Sequence, residues 1–157
     1  MNTCARRSIG SVADDDALKR FDALYDRILA AQDASEPFFE VFRQHTGKAF
    51  IKEFFLRPAR LVMQEVSESY DRDILGGRRE LYIGKTDIEY WGYETGSLFF
   101  ENDMRIINGL PFPDGVLDAH GRVSEPWQSP TTGAKGVWNG RKYRLDVGDR
   151  VFLVGLD

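Results

Sequence analysis

The chain has 157 residues, 42% of them hydrophobic, which is enough material for one domain around one core. Its net charge of -4 and the lack of a long basic run leave no electrostatic case for nucleic-acid binding. No apolar stretch approaches the roughly 20 residues that a bilayer-spanning helix needs, and the single cysteine, Cys4, excludes an internal disulfide framework. We therefore expect a cytoplasmic protein that does not insert into membranes.

The first 34 residues divide into a leader and an amphipathic helix. Residues 1–13 are small, polar and aperiodic, which predicts a flexible leader. Three aspartates from Asp14 then place negative charge at a helix N-terminus, and residues 14–34 carry apolar side chains at helical spacing. Five of these side chains form a stripe that we expect to mediate homodimerisation: Leu18, Phe21, Leu24, Tyr25 and Ile28.

A second short helix and a strand hairpin are predicted next, at the start of a domain that spans 35–157. Ser35 is a suitable N-cap, Pro37 is tolerated in the first turn, and Thr46-Gly47 would end the helix. Residues 48–55 and 60–66 are rich in β-forming side chains and flank a short connection containing Pro58.

Short helical turns packed over a sheet are predicted for residues 70–97, followed by a longer helix. Phe100, Met104 and Ile107 define one face of that helix, and Asn108-Gly109 ends it.

The last third of the chain predicts β structure. A strand is expected within 114–128, and Asn139-Gly140 interrupts the segment from Lys135 to Leu145. Asn-Gly is a strong hairpin signal, but we favour one long strand with a glycine bulge over two short strands. The final strand, 151–156, does not alternate between apolar and polar residues. Such a run is typical of a strand buried on both faces, so it should lie in the centre of the sheet.

Gly84-Lys85-Thr86 is similar to the end of a nucleotide-phosphate loop. Such a loop needs another glycine five residues before its Gly-Lys, and Arg79 occupies that position. We therefore interpret the segment as a turn between short helices.

Catalytic and metal-binding patterns are weak. His45 and His120 each lack a second His or a Cys at ligand spacing, and Glu101, Asp103 and Glu125 face no obvious base. No serine stands in a nucleophile elbow. We expect a protein that is not an enzyme, with its cofactor unknown. Haem ligation by one of the two histidines stays open, although His45 suits a helix end and His120 a polar turn.

Aromatic and long side chains after position 60 suggest a cavity between helices and sheet. The candidate ligand-binding residues are Met63, Tyr90, Trp91, Phe100, Met104, Arg105, Trp127 and Trp138.

The order of predicted elements resembles the PAS family of sensor domains. Ile83-Gly84-Lys85-Thr86-Asp87 is similar to a turn of that family, and residues 101–109 are similar to its longer helix. Residues 49–53, 142–145 and 151–155 resemble its strands. The resemblance implies an α+β fold, with a five-stranded antiparallel sheet flanked by short helices.

The resemblance also implies a function. We expect a stand-alone sensory or regulatory domain in signal transduction, which binds a small ligand between sheet and helices and signals through dimer or protein-partner contacts. A ligand-free interaction module and a small α+β-roll enzyme are the alternatives.

Overall fold

The structure, a computed structural model, describes residues 7–9 and 36–157. In chain order its elements are β1 (Arg7–Ile9), α1 (Glu36–Arg43), β2 (Phe50–Leu56), β3 (Ala59–Val66), α2 (Glu68–Asp73), a 3-10 turn (Arg79–Leu81), α3 (Asp87–Trp91), α4 (Tyr93–Ile107), β4 (Val123–Gln128), β5 (Lys135–Val147) and β6 (Arg150–Leu156). The predicted amphipathic helix and its dimerisation stripe lie outside the described residues.

The strands form one antiparallel sheet in the order β1-β5-β6-β2-β3, with β4 beside the first half of β5. The predicted α+β class with a five-stranded antiparallel sheet is confirmed by β2 to β6. Strand β1 pairs with Tyr143 to Leu145 of β5 and lies within the segment that we predicted as a leader.

Strand β6 is central, as its apolar run predicted. It pairs with β5 on one side and with β2 on the other. Phe152, Val154 and Leu156 face one apolar layer, whereas Leu153 faces the other. Because both faces are covered, the strand has no solvent side that would require alternating polar residues.

The predicted hairpin and the long strand are both confirmed, whereas the expected glycine bulge is not, since β5 pairs with β4 and β6 in continuous register. Strands β2 and β3 pair from Phe50↔Val66 to Leu56↔Ala59. Strand β5 runs unbroken through Asn139-Gly140, so the alternative of two short strands is wrong. A Cβ at Gly140 would lie 2.6 Å from the carbonyl oxygen of Leu156. This close approach gives the glycine a packing role within the strand.

The helices cover opposite faces of the sheet. Helix α1 places Phe38 and Phe42 on the face that carries Phe152, and we call this side the α1 face. Helices α2 to α4 follow β3 in the chain and cover the other side, the helical face. No helix within 36–157 has the length and apolar character needed to cross a bilayer.

Helix α4 differs from its prediction in two ways. It begins at Tyr93 rather than near Leu98, although it ends where expected. Phe99 and Ile106 are buried, whereas Phe100 and Met104 are only partly buried. Asn102 and Asp103 also lie on the buried side of this helix, a polar exception that the apolar pattern did not predict.

Candidate functional site

Two lysines of the sheet point into the protein interior from the helical face. Lys52 alternates with the inward residues Phe50 and Phe54 of β2, and Lys142 lies two strands away on β5. The side chains of Lys52 and Lys142 are 3% and 0% exposed. A buried ammonium group is costly unless carboxylates compensate it, so these positions demand acidic partners.

Three carboxylates supply that compensation. The Nζ of Lys52 lies 2.7 Å from Oδ2 of Asp87 and 2.7 Å from Oδ2 of Asp103. The Nζ of Lys142 lies 2.5 Å from Oδ1 of Asp103 and 2.6 Å from Oε2 of Glu125. We call these five residues the ionic cluster. Asp103 bridges both lysines, so the cluster is one connected network that joins α3, β2, α4, β5 and β4.

The turn before α3 fixes the position of Asp87. Gly84 adopts a positive φ of 84°. Its N–H donates to the carbonyl oxygen of Met63 of β3 at 2.8 Å, and the N–H of Met63 donates to the carbonyl oxygen of Lys85 at 3.0 Å. Thr86 then caps α3 in a reciprocal capping box with Glu89. The predicted turn is confirmed, and its consequence is that Asp87 begins a helix directly above Lys52.

Close packing of α4 against α3 fixes Asp103. A Cβ at Gly96 would lie 2.6 Å from the Cα of Ile88 and 2.7 Å from the backbone of Asp87. Glycine is therefore what allows the two helices to approach here. Two turns later, Asp103 faces both lysines, while Asn102 donates to Oε2 of Glu125 at 3.0 Å.

Aromatic groups close the Asp87 end of the cluster. The hydroxyl of Tyr82 donates to Oδ1 of Asp87, and Nε1 of Trp91 donates to that hydroxyl at 3.0 Å. Tyr82 also stacks on Tyr90 with ring centroids 4.4 Å apart. Burial raises the pKa of Tyr82 well above its ordinary value. The phenol therefore stays protonated and donates to the carboxylate.

Burial and charge act differently on the three acids. Burial raises the pKa of Asp87 and that of Glu125, and the neighbouring lysines offset only part of this rise. Burial also acts to raise the pKa of Asp103, but Lys142 and Lys52 outweigh it and lower that pKa below its ordinary value. The central carboxylate is therefore the one most firmly held in its ionised form.

The cations are held inside aromatic walls. Burial lowers the pKa of Lys52, but the carboxylates of Asp103, Asp87 and Glu125 outweigh it and raise that pKa above its ordinary value. The ammonium group also lies 4.8 Å from the centre of the Phe50 ring. Lys52 therefore stays charged throughout the physiological pH range.

The charged groups of the cluster are already paired with one another. Every carboxylate in the cluster already accepts a hydrogen bond from a lysine. Within the described part of the chain, no group of three or more His, Cys, Asp or Glu side chains is arranged to hold a metal ion. What the cluster can do without rearrangement is bind or release protons.

The predicted ligand-binding residues mostly belong to the core that surrounds the cluster. Met63, Tyr90, Trp91 and Trp138 are buried, and Phe100, Met104 and Trp127 pack against them partly buried. The structure brings Tyr90, Trp91 and Trp127 together, with neighbouring ring centroids 4.8 and 6.2 Å apart. The guanidinium of Arg105 instead donates to the carbonyl oxygen of Pro111 at 3.1 Å.

Cavities in the described residues open at the surface around this core. One of about 180 Å³ lies between the start of β3 and α3, with Leu61, Asp87 and Phe100 among its walls. A cleft of about 420 Å³ lies between the start of α4 and the loop after β4. The space directly between the sheet and α4 is occupied by the ionic cluster and aromatic side chains.

Sequence reasoning missed the ionic cluster. Asp103 and Glu125 were assigned no obvious base, but the structure places both against Lys142. The signal lay in the strands, because Lys52 occupies an inward position between Phe50 and Phe54. A lysine at such a position predicts a buried counter-ion, although its identity depends on helix packing. His120, by contrast, lies exposed in a polar turn, as expected.

No protein-family model, no curated protein and no solved structure matches this chain.

Proposed function

We propose that the chain is a PAS-like sensory or regulatory domain in signal transduction. Its helical face would receive the signal, and the response would reach a partner through the opposite side of the sheet and the N-terminal segment. The observation that carries the proposal is the strand order β3-β2-β6-β5-β4 with the last strand in the centre. A central last strand is the arrangement expected of the resemblance stated above.

The distribution of the helices supports the same proposal. Helices α2 to α4 all lie between β3 and β4 in the chain and cover one face, which leaves α1 to cover the other. A signal that alters the packing of α3 or α4 would act on the sheet through Lys52 and Lys142. Population shift between two such packing states is the physical route to a regulatory output.

Binding of a small organic ligand is the part of the proposal most easily tested. A panel of aromatic carboxylic acids, dicarboxylates and haem is screened for a concentration-dependent rise in melting temperature. We expect at least one compound to stabilise the chain, and Ala59→Phe, at the rim of the 180 Å³ cavity, to weaken that effect. Leu110→Phe, in an exposed loop, serves as the control. If no compound shifts the melting temperature, ligand sensing is rejected.

A ligand-free interaction module is the second candidate, and the filled interior favours it. Here the core is structural and the function lies in association through the stripe predicted from the sequence. Replacing Phe21 and Leu24 with Asp should then convert a dimer into a monomer, which is measured as molecular mass by light scattering. An unchanged mass would count against this candidate.

The α+β-roll enzyme gains one observation, since the buried acid Asp87 borders a cavity. The same carboxylate accepts hydrogen bonds from Tyr82 and Lys52, so it is not placed as a free general base. We therefore do not favour a catalytic function.

A further inference from the structure

The ionic cluster contains one more negative group than positive groups. Three carboxylates, Asp87, Asp103 and Glu125, surround two ammonium groups, and all five side chains are at most 5% exposed. An uncompensated charge in such an interior is strongly unfavourable, and proteins avoid it by protonating one of the acids. The charge count therefore calls for one bound proton when the protein is folded.

Hydrogen bonding distinguishes the acids as sites for that proton. Asp87 accepts from Tyr82 at one oxygen and from Lys52 at the other, and Asp103 accepts from a lysine at each oxygen. The donors to Glu125 are Lys142 and Asn102, and both meet Oε2. Among the described residues, none donates to Oε1 of Glu125. This oxygen can carry a proton without losing an existing hydrogen bond.

We propose that the folded protein holds a proton on Glu125 and releases it as pH rises, which makes the ionic cluster a pH-responsive switch for the packing of β4 on α4. The proposal deepens the regulatory function proposed above by naming its signal, but the bound proton can be tested without assuming that function. Release of the proton leaves the interior with a net negative charge. That charge favours states in which the Glu125 end of the cluster reaches water.

The groups that face Glu125 come from several elements. Lys142 of β5 and Lys52 of β2 favour the ionised form, whereas Asp103 of α4 opposes it. Tyr70 of α2 lies close enough to interact electrostatically, but burial raises its pKa and keeps it neutral. Asn102 of α4 donates to Oε2 of Glu125. Burial adds to the effect of Asp103, so the pKa of Glu125 lies above its ordinary value.

The sign of the pH effect follows from linkage. With a raised pKa in the folded state, Glu125 keeps its proton while the unfolded chain loses it above a pH of about 4.3. The folded state then binds more protons than the unfolded state, so stability falls as pH rises. A single proton changes the folding equilibrium constant by at most about tenfold for each pH unit between the two pKa values.

The test combines unfolding with a direct measurement of the proton. Urea unfolding is followed from pH 5 to pH 9 for the wild type, Glu125→Gln, Asp87→Asn and the exposed control Glu101→Gln. We expect the folding equilibrium constant to fall with pH in the wild type and in Glu101→Gln. It should fall less steeply in Asp87→Asn, where two carboxylates balance two ammonium groups. Glu125→Gln, which is permanently neutral, should remove most of this dependence.

Infrared spectroscopy of the wild type keeps the proposal testable if a variant fails to fold. A protonated carboxyl absorbs separately from a carboxylate, and we expect such a band in the folded protein at neutral pH that disappears as pH rises. The proposal is overturned if this band is absent, or if stability does not fall with pH. It is also overturned if Glu125→Gln keeps the pH dependence of the wild type. None of these readouts requires a partner or an output, so they are independent of whether the domain signals.

Discussion

The layers packed on the two faces of the sheet are stabilised by different physical interactions. On the α1 face, Phe38, Phe42 and Phe152 form an aromatic layer. On the helical face, the core is built around the ionic cluster. Apolar packing changes little with pH, whereas buried ions depend on their protonation state. The same sheet therefore has one face suited to permanent packing and another suited to response.

An ion pair on the α1 face shows that the contribution of an ion pair to stability depends on its exposure to water. Glu53 is inward on this side and pairs with Arg150, with atoms 2.5 Å apart, but the side chain of Arg150 is 37% exposed. Water can solvate this pair when it breaks. The pairs of Asp103 have no such access, so geometry that looks similar has different energetic consequences.

Asp103→Asn should cause the largest loss of stability on the helical face. Lys52 and Lys142 would lose the carboxylate that they share, and we expect the free energy of unfolding to fall by about 4 kcal/mol at neutral pH. Urea unfolding measures the change. Asp146→Asn, at the less buried pair with Arg144, is the control and should have a small effect. A loss below about 1 kcal/mol for Asp103→Asn would show that water enters and solvates the two ammonium groups in the variant.

Leu145→Ala tests the α1 face. Leu145 is fully buried, and truncation should cost about 3 kcal/mol through lost transfer free energy and the cavity left behind. We expect this loss to stay constant between pH 5 and pH 9, measured by urea unfolding. Val137→Ala, at an exposed position of the same strand, is the control. A loss that varied strongly with pH would contradict the division between the two faces.

A double-mutant cycle measures the coupling energy between Lys142 and Glu125 on the helical face. Lys142→Met leaves Glu125 without its lysine donor, and Glu125→Leu leaves the Lys142 ammonium group with one acceptor fewer. The double variant removes both members of the contact. We expect the double variant to be more stable than the sum of the single losses predicts, with a coupling energy of about 2 kcal/mol. Thermal and urea unfolding of all four proteins provide the cycle. Additive losses would mean that the 2.6 Å contact contributes no net coupling.

Glu53→Gln should have the smallest effect. Because Arg150 stays solvated, we expect a loss of less than about 1 kcal/mol that shrinks further at high salt. Unfolding at two salt concentrations measures it, with Glu101→Gln as an exposed control. A loss as large as that of Asp103→Asn would show that the α1 face also depends on buried charge.

Much of the fold was predictable because local patterns agree with the final packing. The hairpin at Pro58, the turn at Gly84 and the central position of β6 all follow from residues next to one another in the chain. The length of β5 was predicted only weakly, because Asn139-Gly140 suits a hairpin equally well. What decides it is a distant contact, the approach of Leu156 to Gly140.

The ionic cluster was not predictable to the same degree. Its members are separated by up to 90 positions and come from five elements, so no local motif contains them. The inward position of Lys52 predicts a buried cation, but nothing near it in the sequence identifies Asp87 or Asp103 as its partners. Asp103 was weighed as an isolated acid because the apolar face of its helix was placed on Phe100 and Met104. The PAS resemblance stays a proposal, supported by strand order.

Strand β5 gives the molecule a mechanical connection between its ends. Its first half pairs with β4, the strand of Glu125, and its second half pairs with β1 and β6. Lys142 lies near the middle and pairs with Gly155 of β6, two residues after the last β5 residue that pairs with β4. A displacement of β4 would therefore act on the first half of β5, while pairing with β6 holds the second half in place. That second half also pairs with Arg7–Ile9, so a change at a buried carboxyl has a continuous backbone route to β1.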